Sequence, residues 1–166
     1  MICSIDTCFL IDWARYTKRH LLYHLFQFCY VTDDVLNEVK SEKTVEFVAE
    51  GLSRGFLVIY PFKDSLEPIV RELITISHPQ IRRLDPPEAY ALAIGYREGA
   101  VVLTENKGAV AVTRLVAKYS GVKVWRSVEV LRALAERGLI NFEEEILTYE
   151  RDTGHRFPRR AGGQAP

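Results

Sequence analysis

The chain has 166 residues, 48% hydrophobic and 27% charged, which suits one soluble globular domain with a single core and no need of disulfide or metal staples. Its 22 basic and 22 acidic residues cancel, so no global field draws it to nucleic acid or to an anionic membrane, and any polyanion must be held locally. Cys3, Cys8 and Cys29 lack the spacing of a zinc site or redox pair and are expected as buried reduced thiols.

No charged-then-apolar leader precedes Asp6, and the greasy run from Leu21 to Val31 is interrupted by His24 and Gln27 and too short to span a bilayer. The expected location is cytoplasmic, with no membrane partner. Ile2 to Ile5 reads as a short strand that ends at Asp6, and Phe9, Leu10, Trp13 and Tyr16 then recur at helical spacing. Arg15, Lys18, Arg19 and His20 are expected to close that helix, where cations suit the macrodipole. Phe28 to Thr32 reads as a second strand, followed by Asp33 and Asp34 as cap candidates for a helix that carries Glu38. Phe56 to Tyr60 is a third strand stopped by Pro61, and a helix is expected over about Leu66 to Ile76 before His78-Pro79 breaks it.

The stretch from Leu84 to Val112 carries the strongest local signals. Asp85 as cap, Pro86 and Pro87 in the first turn, an apolar run and Gly99 as terminator define a helix with Glu88 near its start. Ala100 to Leu103 then reads as a buried parallel strand ending in Thr104-Glu105-Asn106, with the next helix starting near Lys107. Val110, Val112, Leu115, Val116 and Tyr119 are expected on the apolar side of that helix, ended by Gly121. Val122 to Trp125 is a last strand, and Ser127 is a cap for a helix reaching Gly138. About five strands separated by helices predict an α/β fold: one domain over residues 1–150, with a parallel sheet flanked by helices on both faces. From Arg151 the composition turns to Gly, Arg and Pro, so residues 151–166 are expected as a flexible tail.

In open α/β sheets the ligand crevice lies beyond the carboxyl ends of the strands. Asp6, the pair Asp33 and Asp34, and Glu105 all follow strands, while Glu38 and Glu88 lie near helix starts. Carboxylates gathered in one crevice repel one another unless cations neutralise them, and oxygen-only ligands select hard ions such as Mg²⁺ or Mn²⁺. Taken singly, Glu88 can close a capping box with Asp85, Glu105 can be a surface acid and Glu38 a solvated helix residue. Asp6 is harder to dismiss, because a charge directly after a buried strand needs a partner or a function. Their shared topological position points to a metal-carboxylate site able to act on a phosphodiester. Nearby cations would hold the substrate: Lys107 first, then Arg15, Lys18 and Arg19, and Arg82 and Arg83.

Four blocks, Ile5 to Asp12, Val35 to Val39, Glu88 to Ala93 and Val102 to Lys107, together resemble the PIN domains, metal-dependent nucleases that include the VapC toxins of prokaryotic toxin-antitoxin pairs. The resemblance covers roughly Cys3 to Leu139. It implies a PIN-like nuclease domain over residues 1–150 that cleaves RNA as a Mg²⁺- or Mn²⁺-dependent endoribonuclease. It makes Asp6, Glu38 and Glu88 the metal-binding and catalytic acids, with Glu105 or Asn106 in the fourth place and Thr7 and Thr104 as supporting polar groups. It also implies an RNA substrate, an antitoxin protein partner and a homodimer. Two departures stand out: Cys8 replaces a common Ser or Asn, and Glu105-Asn106 replaces a frequent Asp. A non-catalytic PIN-like module binding RNA or protein is the rival reading. A generic nucleotide-binding domain is disfavoured because no phosphate-binding glycine loop follows a strand.

Overall fold

In the computed structural model, which describes residues 1–158, each of the expected strands is present and short. In chain order, β1 (Cys3–Ile5) leads into α1 (Thr7–Arg15), a single-turn α2 (Leu22–Leu25), β2 (Cys29–Val31), α3 (Asp33–Glu38), α4 (Glu42–Ser53) and β3 (Leu57–Ile59). Next come α5 (Glu67–Thr75), α6 (Pro86–Glu98), β4 (Val101–Leu103), α7 (Lys107–Leu115), β5 (Val124–Trp125), α8 (Ser127–Glu136) and α9 (Phe142–Thr153). The strands pair in parallel, in the order β3-β2-β1-β4-β5.

A parallel sheet must be covered on both faces, and its side chains alternate between them. Cys3, Ile5, Cys29, Val31, Val101 and Leu103 enter a core shared with α1, α8 and α9, whereas Val102 enters a second core with α5, α6 and α7. The first core is rich in aromatic rings: Trp13 stacks on Phe9 at 5.6 Å and meets Tyr149 of α9 at 5.6 Å. In the second, alanines and a glycine of α6 let the helix approach the sheet among larger side chains such as Tyr60, Leu66 and Tyr90. Ala89 to Gly95 of α6 are all buried, and a Cβ on Gly95 would lie 2.2 Å from Val102 Cγ2. The Ser4 hydroxyl donates to the Ala91 carbonyl at 2.8 Å and so ties α6 to the central strand.

Several expectations are corrected. Thr32, not Asp33 or Asp34, caps α3 by accepting from Val35 N, and the two aspartates fill its first turn. The first helix stops at Arg15, so Lys18, Arg19 and His20 lie beyond it. The helix after β4 ends at Leu115, and Ala117–Tyr119 form a separate 3₁₀ turn. Cys8 is exposed, while Cys3 and Cys29 are buried; all three are free thiols.

The boundary drawn at residue 150 falls inside α9. Residues 151–153 are helical, the Phe157 ring is buried against Tyr149 at 5.7 Å, and Phe157 N donates to Glu150 Oε1 at 2.9 Å. One buried aromatic and a backbone bond to a buried carboxylate hold this segment, which its polar composition concealed. Residues 159–166, the rest of the expected tail, lie outside the described residues. Among the described residues no helix is long and apolar enough to cross a membrane.

Candidate active site

Because β1 is central, with β2 and β3 on one side and β4 and β5 on the other, the chain changes direction across the sheet between β1 and β4. That is the switch point at which open α/β sheets form their crevice. Ile5 pairs with Leu103 in the sheet register, and Asp6 N donates to Leu103 O at 3.2 Å. The next residues, Asp6 and Thr104, are therefore side by side just past the strand ends.

Asp6 is fully buried. Its Oδ1 accepts from Phe9 N at 2.8 Å, which makes it the N-cap of α1, and its Oδ2 accepts from the Thr104 hydroxyl. Both bonds favour the ionised form, yet burial outweighs them. With the charges of Glu88 and Glu105 adding to it, burial raises the carboxyl to about 7. Asp6 is thus a well-positioned carboxylate without enough positive charge around it.

The other acids converge on the same place. A cavity of about 450 Å³ is lined by Thr7, Cys8, Asp34, Glu38, Asp85 and Glu88, together with the two prolines of α6. Glu38 is exposed at the end of α3, and Glu88 is half-buried in the first turn of α6. Burial, followed by the charges of Asp6, Glu88, Asp12 and Glu38, pushes the Cys8 thiol up to about 11, so one sulfur atom registers carboxylates from three elements. Glu88 also accepts from Asp85 N through Oε2 at 2.9 Å, so the capping box is formed.

Thr104 supports the site directly. Its hydroxyl donates to Asp6 and accepts from Asn106 N at 3.0 Å. Thr7 Oγ1 is buried, borders the cavity and has no hydrogen-bond partner in the protein. An orphaned hydroxyl beside an under-compensated carboxylate, in a crevice lined by oxygen donors, suits a hydrated hard cation. The donors do not close into a finished cluster: among the described residues no three His, Cys, Asp or Glu side chains are close enough to hold an ion.

The fourth block is engaged elsewhere. Glu105 Oε1 accepts from Ser127 N at 2.7 Å at the start of α8, and Oε2 lies 3.8 Å from His155 Nε2. Asn106 caps α7, its Oδ1 accepting from Gly108 N at 2.6 Å. Among the cations, Arg15 lies 3.7 Å from Asp12, Lys18 pairs with Glu145 and Arg19 with Glu46 at 2.7 Å. Lys107 is exposed at the first position of α7, and Arg82 and Arg83 are exposed in the loop before α6.

Sequence reasoning passed over two kinds of residue here. Asp85 lines the cavity but is expected from the sequence only as a cap, whereas Asp34, expected both as a cap candidate and as a strand-end acid, lines it too. Lys63, in a 3₁₀ turn after β3, bonds Asp33 Oδ1 and Asp34 Oδ2 at 2.7 Å each and lies 5.0 Å from the Tyr90 ring centre. It is the cation resident at the crevice rim, and nothing in its neighbourhood along the chain signals that role.

A family model described as a PIN domain matches residues 2–163 of this chain. No curated protein and no solved structure matches it. With the match spanning nearly its whole length, the chain belongs to the PIN-domain family, a family of nuclease-type folds.

Proposed function

We propose that the protein is a Mg²⁺- or Mn²⁺-dependent endoribonuclease in which Asp6, Glu38 and Glu88 hold the metal. One observation carries this reading: a fully buried Asp6 at the switch point of the sheet, its pKa raised by burial and by the nearby charges of Glu88 and Glu105, directly precedes Thr7 in the wall of a cavity that Asp34, Glu38, Asp85 and Glu88 line with no cation among them. Bound there, a divalent ion would activate water and neutralise charge developing on the phosphodiester. The chain's own groups do the positioning. Thr104 and the Phe9 amide fix the two oxygens of Asp6, the α6 capping box fixes one oxygen of Glu88, and the Thr7 hydroxyl is free to orient a water. Glu105 adds charge at longer range while capping α8, and Asn106 shapes the start of α7.

The toxin role, an antitoxin partner and a homodimer belong to the same proposal, as implied by the VapC resemblance. A basic antitoxin segment would suit the acidic crevice. The non-catalytic rival draws on one observation, the engagement of both Glu105 and Asn106 in helix caps. Metal titration with a labelled single-stranded RNA decides between them. Cleavage that needs Mg²⁺ or Mn²⁺ and disappears in Asp6→Asn supports the nuclease; metal-independent binding without cleavage overturns it. Light scattering tests the dimer, and the presence beside the gene of a small reading frame whose product co-purifies with the protein tests the antitoxin.

A further inference from the structure

The cations around the active site differ in one respect, whether a carboxylate already faces them. Arg15, Lys18, Arg19 and Lys63 each lie within 4 Å of an acid. Lys107 and Arg114 do not; among the described residues neither makes an ion pair or a side-chain hydrogen bond. They are seven residues apart on α7, hence on one face, and about 10 Å apart along the axis. Val110 and Ala111, three and four residues after Lys107, lie between them on that face.

These side chains border a cavity of about 480 Å³ whose other polar lining comes from Gln80 and Arg126, with no carboxylate. A second cavity, of about 420 Å³, shares Lys107 and Arg126 and continues past Glu105 to His155 and Arg156. Arg126 is partly engaged, its Nη2 lying 3.0 Å from Glu129 Oε1. The loop before α6 closes the near side, because Gly108 approaches the backbone so tightly that a Cβ there would lie 2.3 Å from Arg82 O. At its inner end the channel reaches Lys107, three residues along the chain from the Thr104 that bonds Asp6.

We propose that this channel along α7 carries the backbone of a single-stranded RNA to the acidic crevice, with Lys107, Arg114 and Arg126 as its phosphate contacts. The inference rests on the nuclease reading and adds a direction to it: the strand leaves the site along α7 toward β5, not along α1. A net-neutral protein with an acidic crevice attracts a polyanion only through cations that its own carboxylates do not neutralise, and this channel is where two such cations share a face. Its apolar strip of Val110, Ala111 and Leu115 offers ribose and base surfaces a contact without sequence preference.

Binding isotherms of the Asp6→Asn protein with a labelled single-stranded oligoribonucleotide, in EDTA and at several salt concentrations, test this. Arg114→Ala and Lys107→Ala should each weaken binding and make the plot of log affinity against log salt shallower by about 0.7, the release expected for one phosphate contact on a single strand. Lys43→Ala, on α4 beside the opposite edge of the sheet, should leave the slope unchanged, and Mn²⁺ affinity of the wild-type background should be the same with and without the channel substitutions. If Asp6→Asn protein binds RNA and wild type cleaves it, but the channel variants give lines parallel to the parent, the route is wrong and the nuclease reading stands. If the variants instead lose only affinity for a poly-glutamate peptide, the channel is a protein-docking surface and the inference falls. An absence of both RNA binding and cleavage in the unsubstituted protein overturns the two together.

Discussion

Two groups of acids lie beyond the strand ends, and they differ in what already compensates them. Glu38 and Glu88 line a cavity with no cation in its lining, and Asp6, buried behind Thr7 of that lining, is raised to about 7, by burial first and then by its acidic neighbours. Glu105, three residues before the buried Gly108, accepts from a helix-terminal amide and faces His155. Similar side chains therefore do different work: the first group calls for an external cation, and the second fastens α8 to the end of β4. Proximity to a strand tip does not separate the two groups; the surrounding charge does, since no cation lines the first cavity whereas His155 faces Glu105.

The sharpest way to break this comparison is Asp6→Asn. It should reduce metal-dependent RNA cleavage by about a thousandfold or more, equivalent to roughly 4 kcal/mol of transition-state stabilisation. Its metal-free melting temperature should hold or rise, since one unneutralised buried charge is gone. Cleavage assays beside thermal melts in EDTA check both; unchanged cleavage would return Asp6 to a purely structural role.

The same carboxylate predicts a pH dependence. Because its folded pKa of about 7 lies above the unfolded value, the folded state keeps a proton that the unfolded chain has released between about pH 4 and pH 7. This group's contribution to metal-free stability is therefore fully present at low pH and falls as pH rises through that window, by on the order of 4 kcal/mol at most. Denaturant unfolding of wild type and Asp6→Asn at several pH values isolates the effect as their difference. Curves that stay parallel from pH 4 to pH 7 would remove it.

A smaller effect is expected at Glu88. Glu88→Gln keeps an acceptor for Asp85 N, so stability should change by less than about 0.5 kcal/mol, while Mn²⁺ affinity should drop about tenfold, or 1.4 kcal/mol. Equal Mn²⁺ affinities by calorimetry would leave Glu88 as a cap alone.

The smallest effect belongs to the second group. Glu105→Gln should cost about 1 kcal/mol of stability by weakening a charge-assisted bond at the start of α8, with Mn²⁺ affinity changed less than about twofold. A tenfold loss of Mn²⁺ affinity here would merge the two groups of acids into one site.

The parts of this architecture legible in the sequence are those set by neighbours along the chain. Asp85-Pro86-Pro87 and Gly99 mark the ends of α6 because caps and a left-handed terminator, φ +65° at Gly99, are local requirements. The strands are readable because a parallel sheet buried on both faces needs uninterrupted apolar runs. The acids of the crevice follow from those two facts together. What stayed hidden depends on partners distant in sequence. Helix α9 buries Glu145 and Glu150, charged residues that blur its apolar face, and their partners lie outside the helix: Lys18 for Glu145, and Phe157 N and Arg156 for Glu150. Lys63 reaches back thirty residues to Asp33, and the freedom of Arg114 is a property of what does not surround it.

The contact between Gly95 and Val102 has an evolutionary consequence. Helix α6 lies so close to β4 that a methyl group at 95 would meet Val102 Cγ2 at 2.2 Å and Ala100 O at 3.1 Å. Gly95→Ala should thus lift the helix from the sheet and tilt its first turn, where Glu88 sits. Trimming the opposing side chain returns the room, so Val102→Ala is the natural second-site suppressor. Across lineages, positions 95 and 102 should drift as a pair, with the size gained at one matched by the size lost at the other.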